Sequence, residues 1–388
     1  MTGPVVAVFS GGGTGGHLYP ALALSRALED RRPDVSMFFV GAERGLEARI
    51  LPERKLDHML LRIEGLRRDS LWKNLRVIAL LFSAVRQVTE AFQRLRPSLV
   101  VVTGGYAGGP AGLAAILTRT RLVLQDQNSL PGITTRFLSP FAREVHVAFP
   151  ESLAALPRGA RTKTRLSGNP IRPPVRLERD RAAAAFGLDP DGAVVLVVGG
   201  SQGSRALNRA TLEAVARVTR AGVSRPSSLQ ILWSTGLSHL SEVEAALGEL
   251  GRPSWVRPVG YIDEMPMALS VTDLAVSRAG AMATSEFLAW GVPAILVPLP
   301  TAAEDHQTKN ALALSEGGAA LCFSEEALTG EILWEAIEAL IREPEARMRM
   351  SRAALQRGRP NAAREIASSL ERLLPPPAGA SPSMGGGV

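Results

Sequence analysis

Ser10-Gly11-Gly12-Gly13-Thr14-Gly15-Gly16-His17-Leu18-Tyr19-Pro20 joins two segments of opposite character. Before it runs the apolar Val5-Val6-Ala7-Val8-Phe9; after it comes the helix-like Ala21-Leu22-Ala23-Leu24-Ser25-Arg26-Ala27-Leu28. The glycines therefore fill a strand-to-helix turn at the first strand of an α/β domain. Backbone N–H groups in such a turn, with the helix N-terminus behind them, attract an anion, most often a phosphate. His17 stands at that anion-facing end, where an imidazole can handle a proton. Gly11, Gly13 and Gly16 also satisfy G-x-G-x-x-G. A dinucleotide site needs an acid after the second strand, and Glu43 follows the strand-like Met37-Phe38-Phe39-Val40. Locally an NAD site stays open, as does a tight turn with no ligand.

The first half continues as alternating strand-like and helix-like segments. A helical stretch from Glu43 to Pro52 precedes the buried strand Leu99-Val100-Val101-Val102-Thr103, which leads into a second glycine cluster, Gly104-Gly105-Tyr106-Ala107-Gly108-Gly109-Pro110. Leu122–Leu124 and Val145–Ala148 read as further strands. Proline-rich Ser167–Pro174 interrupts the pattern, which then restarts with Val194–Val198, Gly199-Gly200-Ser201-Gln202-Gly203-Ser204 and a helix from Arg205 to Arg220. Gln230–Ser234, Val256–Tyr261, Leu274–Ser277, Ala294–Val297 and Ala320–Phe323 follow as strands. The expected architecture is α/β, two Rossmann-like doubly wound domains facing across a cleft. The boundaries are 1–168 and 169–360, with a helix at about 361–374 crossing back to the first domain and a Pro/Gly/Ser-rich, disordered tail at 375–388.

The chain has 388 residues, enough for two domains, and a formal charge of +7. The positive balance suits an anionic partner. Aromatic residues make up only 5%, which argues against nucleic acid read through base stacking. Cys322 is the single cysteine, so neither an internal disulfide nor a cysteine metal cluster is expected. Asp189-Pro190-Asp191 is formally D-x-D, but Pro190 and Gly192 make it a turn, and no protein-bound metal or other cofactor is expected. The N-terminus lacks a signal-peptide pattern, and no apolar run spans a bilayer. One segment mixes apolar and basic residues at helical spacing: Leu71, Trp72, Leu75, Ile78 and Phe82, flanked by Lys73, Arg76, Arg67 and Arg68. It fits an interfacial membrane helix or a helix packed on its own sheet.

Three later clusters carry polar chemistry. Arg278-Ala279-Gly280-Ala281-Met282-Ala283-Thr284-Ser285-Glu286 leads a strand into a helix. Its N–H groups suit phosphate; Glu286, one turn in, can accept from vicinal hydroxyls or simply favour the helix dipole. Glu304-Asp305-His306-Gln307-Thr308-Lys309-Asn310 and Asp126-Gln127-Asn128 each follow a strand and suit sugar hydroxyls or a solvated loop.

The glycine loops, Asn169-Pro170-Ile171-Arg172, Ala281–Glu286 and Asp305-His306-Gln307 occur together in one order. From Val5 to Leu374 the chain resembles the MurG family of GT-B glycosyltransferases, the N-acetylglucosaminyltransferases of peptidoglycan synthesis. That resemblance implies an inverting transfer of N-acetylglucosamine from UDP to the C4 hydroxyl of an undecaprenyl-diphosphate-linked muramoyl pentapeptide (lipid I), giving lipid II. It implies donor contacts from Thr14, Gly15, Gly16, Asn128, Arg172, Ser201, Ile262, Ala281, Met282, Ala283, Thr284, Ser285, Glu286 (on the ribose) and Gln307. It also implies acceptor-diphosphate contacts from Gly13, Gly104, Gly105 and Tyr106. His17 is the expected general base, and UDP-N-acetylglucosamine, lipid I and the anionic inner-membrane surface are the expected partners, with no nucleic acid. A lipid-linked acceptor favours membrane contact by the segment around Trp72, placing the enzyme peripherally at the cytoplasmic face. The family carries His-Glu-Gln-Asn where this chain has Gln125-Asp126-Gln127-Asn128. Alternatives are a UDP-sugar epimerase of the same fold, an NAD-dependent oxidoreductase, and a non-enzymatic UDP-sugar or membrane-binding protein.

Overall fold

The computed structural model describes residues 4–13, 15–64 and 71–377, with the side chains of 71–75 left out. Two compact units emerge. One comprises the chain up to Ile171 and again from Asn361; the other is Arg172–Pro360.

The first unit is built on seven strands: β1 (Val5–Ser10), β2 (Val35–Ala42), β3 (His58–Leu61), β4 (Leu99–Val102), β5 (Arg121–Asp126), β6 (Glu144–Val147) and β7 (Thr164–Leu166). All pairings are parallel, in the order β3-β2-β1-β4-β5-β6-β7. The central strands are apolar along their whole length because helices cover both faces: Val100, Val101, Val123 and Val145 are completely buried. β3 and β7 escape a reading by periodicity. Each is a short edge strand with too few residues to show alternation.

The order reverses between β1 and β4, so the loops that leave their C-terminal ends run to opposite sides. Ligands of open α/β sheets bind at this reversal. The two loops that leave it are Gly11–Gly13 and Thr103–Gly104. Each runs directly into a helix, Gly15–Glu29 and Gly105–Leu117.

The second unit repeats the plan with β8 (Ala193–Val198), β9 (Leu229–Ser234), β10 (Val256–Val259), β11 (Thr272–Ser277), β12 (Ala294–Leu296) and β13 (Ala320–Cys322). Their order is β10-β9-β8-β11-β12-β13, again parallel. Its reversal lies between β8 and β11, where the loops Gly199–Ser204 and Arg278–Gly280 emerge.

The helix Ala362–Leu373 belongs to the first unit. Ile366 and Leu370 are completely buried in the cluster that holds Leu24 and Leu28 of the helix Gly15–Glu29. Arg31 pairs with Glu371 at 2.6 Å, and Arg121 donates to the Leu373 carbonyl at 2.8 Å. Asn169, Pro170 and Ile171, read from sequence as the start of the second domain, lie in the first unit. The reason is local: Asn169 is buried and hydrogen-bonds to Gln125 and to the Gln127 carbonyl.

The helix Leu71–Leu95 buries Val77, Ala84, Val88 and Phe92, a stripe at helical spacing of which Ala84, Val88 and Phe92 pack into the sheet's own core. Ile78 and Phe82 lie off that stripe and are 43% and 72% exposed. Arg76 is exposed and 3.8 Å from Glu64. The side chains of Leu71, Trp72, Lys73 and Leu75 fall outside the description, as do Arg67 and Arg68. Among the described residues no helix is long and apolar enough to cross a membrane.

Candidate functional site

The first reversal is packed more tightly than a turn open to a ligand would be. A Cβ at Gly11 would overlap Thr103 Oγ1, at Gly12 it would overlap Glu47 Oε1, and at Gly13 the ring of Tyr106. Gly13 also has φ +94°, a region L side chains rarely adopt. The glycines of this loop are thus required by the protein's own side chains, not only by an approaching molecule.

Glu47 is the most consequential residue that the sequence reading missed. It is completely buried beneath the loop, and Oε1 accepts from Gly13 N at 2.9 Å and from Ala42 N at 3.1 Å. Oε2 has no partner among the described residues. The helical stretch expected from Glu43 starts at Glu47, and Glu43 itself is exposed. The buried acid near the second strand therefore braces the loop rather than awaiting a ribose. Gly13's amide, expected to face an acceptor diphosphate, is already engaged. A signal was present in Gly41 and Gly45, whose Cβ atoms would collide with Glu47. Replacing Glu47 by Ala strands the buried Ala42 amide. The expected loss is about 1–3 kcal/mol of unfolding free energy in a denaturant titration, the cost of a buried unsatisfied donor. Glu47→Gln, which keeps an acceptor oxygen, should recover most of it.

His17 sits in the first turn of the helix Gly15–Glu29, half-buried against Gly104 and Gly105. Its Nδ1 lies 2.8 Å from Gln127 Oε1 and 3.1 Å from the Thr103 carbonyl. The Gln127 amide is oriented by its surroundings: Nε2 faces the Thr103 carbonyl at 2.8 Å, the Gln125 carbonyl at 3.2 Å and Gln125 Oε1. Oε1 is therefore the atom turned to His17. Both neighbours of Nδ1 are acceptors, so Nδ1 carries the hydrogen and donates it. In a neutral ring Nε2 is then the lone-pair nitrogen, free to accept a proton.

Asp126 does not compete for that role. Oδ1 accepts from Asn128 N at 3.1 Å and Oδ2 from Gly132 N at 3.0 Å, so both oxygens hold the loop after β5. Asn128 is buried, and its carbonyl accepts from Ser152 Oγ at 2.9 Å. Gly104, with φ +97°, precedes the helix whose first residues are Gly105 and Tyr106. Burial and the charges of Glu47 and Glu64 push the Tyr106 hydroxyl above its usual range, so it stays a neutral donor. Gly15 is half-buried and Gly16 exposed; Thr14 lies outside the described residues.

In the second unit the helix Ala281–Trp290 is capped by Gly280, after the short loop Arg278–Gly280 that leaves β11. Ala281, Met282 and Ala283 form its first turn and are partly exposed, while Thr284 and Ser285 are buried. The Thr284 hydroxyl donates to the Gly280 carbonyl at 3.1 Å, inside the helix. Glu286 is half-buried. Burial pushes its carboxyl up to about 7, against an opposing pull from the Arg172 guanidinium. Arg172 and Ser201 are exposed, and Ile262 is buried.

Three side chains tie the loops around this helix start. Arg278 donates to the carbonyls of Val297 and Pro298 and pairs with Glu325. Asn310 donates to the Ala279 carbonyl at 3.3 Å. Gln307 Oε1 accepts from Leu299 N at 3.0 Å, which leaves its amide hydrogens for another acceptor. Just before it, Glu304 and Asp305 both hold left-handed backbone, φ 52° and 56°. That conformation costs roughly 1–2 kcal/mol per residue for an L side chain, and Lys309 Nζ clasps the Glu304 carbonyl at 2.9 Å. Asp189 forms its own turn, Oδ1 accepting from Asp191 N at 3.0 Å.

Residues 7–147 match the glycosyltransferase family 28 N-terminal domain and residues 194–366 the glycosyltransferase family 28 C-terminal domain. The chain is 39% identical over 364 residues to a Desulfitobacterium hafniense protein described as UDP-N-acetylglucosamine--N-acetylmuramyl-(pentapeptide) pyrophosphoryl-undecaprenol N-acetylglucosamine transferase. That match covers 92% of this chain and 96% of the relative. A crystal structure of Acinetobacter baumannii MurG superposes with TM-score 0.75 at 26% identity, over 95% of this chain and 99% of that one. A Neisseria meningitidis UDP-GlcNAc 2-epimerase bound to UDP-GlcNAc superposes with TM-score 0.62 at 14% identity, over 95% and 99%. At that identity the epimerase likeness extends to the fold alone.

Proposed function

We infer the reaction from one premise: the chain belongs to glycosyltransferase family 28, among the N-acetylglucosamine transferases that act on muramyl-pentapeptide pyrophosphoryl-undecaprenol. It transfers N-acetylglucosamine from UDP-N-acetylglucosamine to the muramoyl sugar of lipid I and so forms lipid II. The epimerase, oxidoreductase and non-enzymatic readings fall away with that membership.

Our reading of the step is a single displacement with inversion. Nε2 of His17 takes the proton of the acceptor's C4 hydroxyl, its oxygen bonds to C1 of the donor sugar, and the C1–O bond to UDP breaks with the electron pair leaving on the diphosphate. The observation that carries this reading is the fixed Nδ1–H of His17, which presents Nε2 in its proton-accepting form. Support for the leaving diphosphate comes from the first-turn amides of Ala281, Met282 and Ala283 and from Arg172. Glu286 accepts from the ribose hydroxyls; Thr14, Gly15, Gly16, Asn128, Ser201, Ile262, Thr284, Ser285 and Gln307 complete the donor contacts. Gly104, Gly105 and Tyr106 take the acceptor diphosphate. Gly13 contributes shape there, since its amide is held by Glu47.

We further propose that Ile78 and Phe82, with Arg76, Lys73 and the Leu71–Leu75 segment, rest on the anionic face of the inner membrane, cytoplasmic side. Two apolar side chains exposed one turn apart on a helix whose other face is fully buried support this. The test is transfer of radiolabelled sugar from UDP-N-acetylglucosamine to two acceptors, lipid I in anionic vesicles and a short-chain soluble analogue. Turnover on both is expected; release of free sugar or an isomerised nucleotide sugar without transfer would overturn the assignment. Ile78→Ser with Phe82→Ser should reduce vesicle binding and the vesicle reaction but spare the soluble one. Unchanged vesicle binding would remove the membrane face from these residues.

A further inference from the structure

Beneath His17 lies a chain of three buried side chains that the reaction as written does not use. Gln127 accepts from His17 Nδ1, Gln125 Oε1 accepts from Gln127 Nε2, and Gln125 Nε2 donates to Asn169 Oδ1 at 3.0 Å. Asn169 closes the network by donating to the Gln127 carbonyl at 3.0 Å. Gln125, Gln127 and Asn169 are each at most 2% exposed.

We propose that Gln127 is the positioning residue for His17, its amide oxygen holding the ring so that Nε2 is presented to the acceptor hydroxyl. The proposal rests on the reading of His17 as base. Two separate anchors serve that residue. Thr103 holds its main chain, Oγ1 donating to the His17 carbonyl at 2.7 Å. Gln127 holds the ring, closer than the Thr103 carbonyl, which already accepts from Gln127 itself. A glutamine free in solution would have to be ordered at an entropic cost for each rotatable bond. Here three oxygens around Nε2 hold it rigid, and the low-dielectric surroundings strengthen each bond. The network also explains why this chain carries Gln125: its amide donates to Asn169 and accepts from Gln127 at once, which a carboxylate could not do.

The choice of an amide has a consequence. A carboxylate in its place would still accept from Nδ1 and add a negative charge beside the ring, as in an acid–histidine pair, while its second oxygen would face the three acceptor oxygens that the amide nitrogen now serves. Neither an ion pair nor a charged side chain hydrogen-bonded to His17 occurs among the described residues: Glu47, beneath the loop, accepts from Gly13 and Ala42 amides, both Asp126 oxygens accept from backbone amides, and the elements packed here otherwise carry Tyr19, Arg26, Glu29, Tyr106 and Arg121.

The experiment uses the full-length enzyme with Gln127→Glu and Gln127→Met. It follows kcat against pH at saturating donor and acceptor, UDP affinity, and the ring-nitrogen NMR titration of His17. In Gln127→Glu the acidic limb of the kcat profile and the His17 titration should both move to higher pH by about one unit or more. Gln127→Met should lower kcat by about ten- to a hundredfold with UDP affinity unchanged, and should cost nothing further in the His17→Ala background. An unmoved His17 titration in Gln127→Glu, or an equal loss from Gln127→Met with and without His17, would overturn the proposal. Should His17→Ala keep its rate, the base reading fails while the ring-nitrogen titration still decides whether Gln127 orients the ring.

Discussion

His17→Ala lowers kcat by about 10²–10⁴-fold and leaves UDP affinity nearly intact, the range expected when a positioned base is removed. The expectation follows from where the proton sits. With Nδ1–H donated to Gln127 and Thr103, the ring offers Nε2 and cannot rotate to offer Nδ1 without breaking both bonds. The rival role, a ring that only shapes the loop or binds a diphosphate oxygen, has a different signature. It predicts a raised KM or weakened UDP binding and an acidic limb that survives the substitution. The kcat–pH profiles of wild type and His17→Ala, with both substrates saturating, separate the two. A variant with near-full kcat, or with the same acidic limb, would take the proton transfer away from His17. Asp126 would not inherit it, because both of its oxygens are held by backbone amides.

Glu286→Ala weakens UDP binding by about 1.5–3 kcal/mol, the range for hydrogen bonds to a charged group. The pH dependence is the sharper part. Burial pushes the Glu286 carboxyl to about 7 in the ligand-free protein, and charge-assisted bonds to ribose hydroxyls need it ionised. UDP affinity of the wild type should therefore fall as the pH drops below about 7, with proton release on binding measurable by calorimetry in buffers of different ionisation enthalpy. Glu286→Gln should bind weakly at every pH. Stability runs the other way. The folded carboxyl is raised from an ordinary 4.5, so its neutral form favours the folded state fully below about 4.5, and that contribution is lost as the pH rises through about 7. Above that, the ionised group costs the empty protein about 3 kcal/mol. Glu286→Gln should thus raise Tm near pH 8 and leave it unchanged near pH 4.5. An identical Tm difference at both pH values would return the Glu286 carboxyl to the ordinary range; unchanged UDP affinity in Glu286→Ala would remove Glu286 from the ribose.

The architecture was legible along the chain, because it rests on short-range pattern. A strand buried on both faces must be continuously apolar, as Leu99–Val102 and Val194–Val198 are, and each glycine loop must follow its strand directly. Four such loops in order mark two sheet reversals, and the loop–helix junction at Gly280 could be named from residues alone. The apolar-basic segment before Phe82 also showed its helical spacing, although two of its residues, Ile78 and Phe82, turn away from the core that the rest of the helix fills.

Only the tertiary structure decided what the glycines and the polar residues do. Gly12 reads as space for a ligand, yet the space is filled by Glu47, which stands 35 positions later and on another helix. Gln127 and Asp126 are neighbours of similar polarity; one faces the His17 ring and the other is folded back on its own loop, because successive residues leaving a strand point to opposite sides. Asn169 reads as linker, yet its side chain is captured by Gln125 and the Gln127 carbonyl, 44 and 42 positions away. Nor could Glu286 be told from a helix-dipole acid by its place in the helix, since what distinguishes it is how far its carboxyl is withdrawn from water. A sequence states the residue types and their local period. Which side chain meets which, and how much solvent each keeps, depends on packing between segments far apart in the chain.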